Sequence, residues 1–206
     1  MGEGADRRMR ALSLEATMPL LLTAPPTAEP IALADMKAHL RLYITDDDAY
    51  ITALIAAARR AIESRYGLCL MRQSWALFAD AWPVDRIFKI PLWPVLSVDG
   101  ITSYADDDTA TAIDPTSYFL DVALRPTRVA LRQGRVFTQP ARTINGLKLA
   151  FTAGFGVDAT FVPQEIKLAL MATIADWYQN RGDASGGTLP ATALEALAAY
   201  RNARIA

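Results

Sequence analysis

From Cys69 to Ala153 the chain has no segment with helical periodicity. It carries instead "QSWALFADAW", "DRIFKIPLWPVLSVDGITSYA", "SYFLDVAL", "RVALRQGRVF" and "NGLKLAFTAGF". These alternate, or run β-branched and aromatic, and Pro, Gly and Asp punctuate them. Strands joined without intervening helices cannot make the crossovers that parallel pairing needs, so the pattern predicts an antiparallel sheet of roughly five to seven short strands. Helical patterns flank it. "IALADMKAHLRL" (31–42) is a short helix, and "YITDDDAYITALIAAARRAIESRYG" is the clearest helix in the chain. Thr45 and Asp48 read as a capping-box-like start. Ile51, Leu54, Ile55, Ala58, Ile62 and Tyr66 form one apolar stripe, and Gly67 ends the helix. Beyond the strands, a helix opens at Pro163 with Ile166, Leu170, Thr173, Ile174, Trp177 and Tyr178 on one face; Gly182 is its expected stop. A last helix begins at Pro190 and carries Leu194, Leu197 and Ala198.

The fold class is therefore α+β. A helical bundle of two N-terminal helices and the C-terminal helices (31–68 and 163–206) carries an inserted antiparallel β domain (69–162). Residues 1–30 read as an extended arm, because the three prolines of "TAPPTAEP" exclude a helix there.

Composition narrows the chemistry. The 206 residues hold one histidine, His39, and one cysteine, Cys69. That is a poor basis for a His-centred triad or a Cys/His metal site, and it excludes an internal disulfide. Cys69 reads as a buried apolar residue. Formal net charge is −1, without the basic surplus of a protein that grips nucleic acid. No apolar run is long enough to cross a membrane. Arg7, Arg8 and Arg10 before "MPLLL" loosely mimic a signal peptide, but Glu15 interrupts the apolar part, and secretion is not expected. Met9 or Met18 are alternative starts.

Three features invite a site. Gly154-Phe155-Gly156 resembles part of a phosphate loop, but position 159 is Ala and the helix waits until Pro163. It reads as a corner between strand and helix. The triplets Asp46-Asp47-Asp48 and Asp106-Asp107-Asp108 lack the alternate spacing of a calcium loop, and they read as a helix start and a hairpin tip. More informative is a segregation of charge. Asp99 to Asp121 contains six Asp and no base, whereas Arg125 to Lys148 contains Arg125, Arg128, Arg132, Arg135, Arg142 and Lys148 and no acid. Either the strands pair within one molecule and neutralise each other, or an acidic edge of one subunit meets a basic edge of the next, a head-to-tail contact of the kind that closes rings.

The ordered set of "EPIALADMKAHLRL", "DDDAYITALIAAARRAIESRYG", "LMRQSWALFADAWP", "IPLWPVLSVDGITSY", "FTAGFG", "VPQEIKLALMATIADWYQNR" and "LPATALEALAAYR" resembles the head-tail connector (adaptor) proteins of tailed bacteriophages. The resemblance spans about residues 29–201, and the Ala- and Arg-rich usage suits a prophage or a gene transfer agent. It implies a structural protein with no catalytic residues and no cofactor or metal. Subunits would form a ring, commonly of twelve, beneath the portal protein. A tail-side connector or stopper would dock on the far side, with DNA passing through the centre. Assembly would take place in the bacterial cytoplasm, with no membrane involved. On this reading Tyr200, Arg201 and Arg204 are candidate portal anchors, since Tyr and Arg are favoured at interfaces. Asp106, Asp107 and Asp108 against Arg128, Arg132 and Arg135 are candidate subunit contacts. Competing expectations are a small nucleotide-binding enzyme, and a ligand-binding β module that uses Trp75, Trp82 or Trp93 on an exposed face.

Overall fold

A computed structural model describes residues 18–181 and 188–201. In chain order the strands and α-helices are β1 (Leu20–Ala24), α1 (Leu33–Leu40), α2 (Asp48–Tyr66), β2 (Gln73–Ala79), β3 (Ile87–Ile90), β4 (Val95–Tyr104), β5 (Ala110–Ala112), β6 (Tyr118–Asp121), β7 (Thr127–Leu131), β8 (Leu147–Ala153), α3 (Gln164–Gln179) and α4 (Ala191–Ala196). The protein is an α+β mixture, and every pairing between its strands is antiparallel.

The helical stripes do what their spacing demands. Ile51, Ile55, Ala58, Ile62 and Tyr66 of α2 are buried, as are Ile166, Leu170, Thr173 and Ile174 of α3. α2 packs on α3, α3 on α4, and α1 on both α2 and α3. The Thr173 hydroxyl escapes an unpaired burial by donating to the Ala169 carbonyl at 2.7 Å. Gly67 ends α2 in the left-handed region at φ 63°.

The start of α2 differs from the expected capping box. Its N-cap is Asp47, with no side-chain cap. Tertiary partners take the carboxylates instead. Asp47 accepts from Tyr178 Oη at 2.5 Å and from Arg181 at 2.9 Å, and Asp48 pairs with Lys37 at 2.6 Å. The last helix is also shorter than expected. α4 has six residues, followed by a 3-10 turn at Ala198–Tyr200. α3 gives way at its C-cap Asn180, and the expected stop, Gly182, lies outside the described residues.

The β segment forms two sheets. One has the order β1-β2-β8-β4-β5 and the other β3-β7-β6. They share one core: Leu77, Leu149 and Phe151 from the larger sheet cluster with Phe88, Ile90, Val129 and Leu131 from the smaller. The described part of the expected arm is not free. Its residues Leu20–Ala24 add an edge strand to β2, with Leu20 opposite Leu77. That strand was missed because Pro19 and the following Pro25-Pro26 frame a run too short to show a period.

Helices and sheet meet at a stitched seam. Trp93 N–H donates to Gly67 O at 2.9 Å, and Cys69 N–H to Trp93 O at 2.8 Å. Arg72 N–H donates to Gly156 O and Gly154 N–H to Pro94 O. Gly154 explains the glycine run. It sits at φ +134°, and a Cβ there would lie 2.4 Å from the Met71 carbonyl oxygen. No side chain fits where two backbones touch, so the motif is a corner.

Beside the seam, Arg59 is buried with two carboxylates. It donates to both oxygens of Glu29, at 2.7 and 3.1 Å, and to Glu63 at 2.9 Å. Glu63 also accepts from Leu70 N–H and Gln73 Nε2. Burial raises the Glu63 pKa above its usual range, while these donors pull it back. The network ties the arm, α2 and the entry to β2 together.

Candidate functional site

The segregated charges are brought together, but unevenly. β6 and β7 pair with Asp121 opposite Arg128, and the two side chains form an ion pair. Asp99 accepts from Ser97 and Thr152 hydroxyls, and Asp114 caps the Pro115–Ser117 turn through Thr116 N–H at 2.8 Å. The Thr109 side chain, together with the Thr109 N–H that donates to Asp107, holds the Asp107 carboxyl below the usual range. Asp108, at φ 64°, pairs with Arg142 at 3.3 Å. Among the described residues, then, intrachain pairing accounts for Arg128 and Arg142. It leaves Asp106 exposed at the hairpin tip, and Arg132 and Arg135 exposed beyond β7 without a carboxylate within ion-pair distance.

Arg132 instead lies over the Phe119 ring, 5.5 Å from its centroid. Arg86 was not singled out from the sequence. It adopts φ 60° and donates through Nη2 to the carbonyls of Arg132 and Arg135 at 2.9 and 2.8 Å. It thereby fixes the loop that follows β7. Only the folded chain brings residues 86 and 135 together, so no local signal could have marked it.

The C-terminal candidates separate. Tyr200 packs against Trp93, with ring centroids 6.4 Å apart, and its hydroxyl donates to Glu165 at 3.0 Å. Burial, with the Glu165 bond, pushes its pKa up to about 12. Arg125 stacks on the same Trp93 at 4.2 Å, and its Nε and Nη2 have no hydrogen-bond partner in the structure. Burial lowers its pKa. Tyr200 is therefore engaged within the chain, Arg201 is exposed, and Arg204 lies outside the described residues.

The features tied to chemistry are dispersed. His39 is exposed on α1, and Cys69 is buried in the β core, where burial pushes its thiol pKa well up. No group of three or more His, Cys, Asp or Glu suited to a metal occurs among the described residues. Nor does any described helix have the length and apolarity to cross a membrane. Trp82 is buried, and Trp75 and Trp93 are half-buried, so none of the three stands on a fully exposed face.

Fold and surface thus define an antiparallel α+β protein whose distinctive groups sit in exposed loops and turns. Residues 30–91 match the family model described as phage gp6-like head-tail connector protein. Over that segment the match bears out the resemblance read from the sequence. Solved structures share the fold over 92% of this chain. One chain, from the neck of an empty GTA particle computed with C6 symmetry, matches at 22% identity, with 98% of it covered and a TM-score of 0.80. Another, from the virion of a native gene transfer agent particle, matches at 22% identity, 98% coverage and a TM-score of 0.77. A third, from the neck of a native GTA particle computed with C12 symmetry, matches at 21% identity, 97% coverage and a TM-score of 0.71. No curated protein matches the chain.

Proposed function

We propose that this protein is a structural head-tail adaptor of a phage or gene transfer agent particle. It works by shape and contact surface rather than by transforming a molecule. The observation that carries this reading is the coincidence of two likenesses: a head-tail connector family match over residues 30–91, and a fold shared along nearly the whole chain with proteins of gene transfer agent necks.

In this reading subunits assemble in the bacterial cytoplasm into a ring, with twelve copies favoured by the C12 symmetry of one such neck. One face of the ring docks on the portal protein and the other on a tail-side connector or stopper, and DNA passes transiently through the centre. Modest net charge suits a channel that DNA traverses without being held. The acidic hairpin tip at Asp106–Asp108 and the basic region after β7, with Arg132 and Arg135, supply unlike patches for a head-to-tail subunit contact. Arg201, exposed beyond the Tyr200 turn, and Arg204 are the proposed portal anchors; Tyr200 holds the turn that presents Arg201.

Electron microscopy of particles made without this protein tests the reading. Filled heads lacking tails are expected, and normally tailed particles would refute it. At finer scale, Arg201→Glu leaves the fold intact and lowers the fraction of heads that acquire a tail; an unchanged fraction removes the portal assignment alone.

A further inference from the structure

The loops after β2 and β7 enclose a cleft of about 410 Å³. Its floor is the tilted aromatic pair Trp82 and Phe137, with ring centroids 4.9 Å apart and planes at 47°. The pair is locked by Trp82 Nε1 donating to Thr138 O at 2.8 Å. Its lips are Val84 and Val136, both essentially fully exposed at loop tips. Arg86 and Arg135 bring positive charge to the wall, and no carboxylate lines it. Of the neighbouring acids, Asp85 accepts from Ile87 N–H and lies 4.0 Å from Lys89, and Asp114 caps its own turn while sensing Arg135 only from beyond ion-pair distance. A basic, apolar-lipped cleft calls for an acidic segment carrying small side chains.

The chain holds such a segment out of reach of its own cleft. The cleft lies where β2 ends, and the Asp106–Asp108 tip follows β4 at the same end of the sheet. Between β2 and β5 lie β8 and β4, three strand spacings, or roughly 14 Å. Asp108 pairs with Arg142, and Ala105 O accepts from Asp108 N–H, so in the folded chain the tip stands on its own side of the sheet end. Cleft and tip are thus unlike, complementary patches on opposite flanks of one sheet end, as a head-to-tail contact requires.

We infer that the Asp106–Asp108 hairpin tip of one copy seats in the Trp82–Arg86–Arg135–Phe137 cleft of the next, with Asp106 meeting Arg135 and the valine lips closing over Ala105 and Ala110. This rests on the adaptor reading and names the subunit contact within it. Arg128, already paired with Asp121, takes no part.

The test is a charge exchange in the full-length chain, measured as its incorporation into particles made by cells lacking the native copy. Asp106 and Arg135 are both exposed and their side chains have no intrachain hydrogen bond, so the variants fold; melting temperatures check this. Asp106→Arg and Arg135→Glu are each expected to lower incorporation about tenfold, and the double variant to restore it to within about threefold. Single defects without rescue, or a silent Asp106→Arg, overturn the contact. A cleft that faced DNA would give that second pattern, with the Arg135→Glu defect confined to genome retention or ejection. The cysteine pair Asp106→Cys and Val136→Cys gives a second readout. Mild oxidation of particles should yield a ladder of multimers that neither single variant shows, and Cys69, 1% exposed, stays silent. No ladder in tailed particles containing the protein refutes the seat and leaves the adaptor reading standing. Absence of the native chain from tailed particles refutes the adaptor reading itself.

Discussion

Arg59 shows how much one side chain decides here. Its guanidinium serves Glu29 and Glu63 while itself nearly sealed from water. Arg59→Ala would strand Glu63, whose side chain is only 12% exposed, as a charge without its cation. Breaking a buried pair in this way costs about 3–5 kcal/mol, expected as a melting temperature lowered by on the order of 10 °C. Denaturant unfolding of the variant checks it, and a loss below about 1 kcal/mol would mean that the network is solvated. Tyr200 makes a pH prediction. Its pKa lies above the ordinary tyrosine value, at about 12 in the folded chain. The native state therefore holds that proton more tightly than the unfolded one. The contribution is fully present below about pH 10 and is lost as pH rises towards 12. Tyr200→Phe should flatten that alkaline decline, as measured by unfolding between those limits. At Gly154, Ala meets both a positive φ and the Met71 carbonyl. Backbone strain of about 1–3 kcal/mol is expected before the clash is counted, and a neutral Gly154→Ala would contradict the corner.

The elements differ in how firmly they are held. β1 has four of its five residues exposed and bonds to β2 alone. Removing residues 1–25 while keeping Glu29 should leave helix content unchanged and cost little stability. The amides of β2 that face β1 should lose hydrogen-exchange protection, while those bonded to β8 keep it. α4 is shorter but better anchored. Leu189, Ala193 and Leu197 are buried against the helical core. Deleting 189–206 would uncover that core, at about 1.5–3 kcal/mol for each leucine. A surface change at Arg201 is therefore a cleaner probe of partner binding than truncation. The short 3-10 turn that follows positions Tyr200 over Trp93, so the C-terminal turn touches the helix–sheet seam directly.

At the scale of the molecule, exposed apolar and charged groups concentrate in the loops and edges of the β segment. Val84 and Val136 are the extreme cases there, and Tyr43 between α1 and α2 is nearly as exposed. Folded alone, the chain leaves them in water, where the proposed ring could cover them. A surface of this kind should respond to salt: if charged loops steer assembly, raising ionic strength slows incorporation of the native chain into particles and has much less effect on its melting temperature. Equal sensitivity of both would place the important charges inside the fold.

Residue order alone settled the α+β class, the antiparallel pairing, the main helix stripes, the corner at Gly154 and the likeness to connectors, but not strand β1 or the length of the last helix. Periodicity, turn chemistry and motif order are local properties, readable without neighbours. What it could not settle was which charges remain available. Asp121 is spent on Arg128 and Asp108 on Arg142, whereas Asp106 and Arg135 are not, and Arg86 joins the site from a distant loop. Those outcomes depend on strand register and on loops meeting in space. The same reason decided the start of α2, where Tyr178 and Arg181 reach Asp47 across more than a hundred residues. Long-range partners, absent from any local window, chose the surface with which this chain can act.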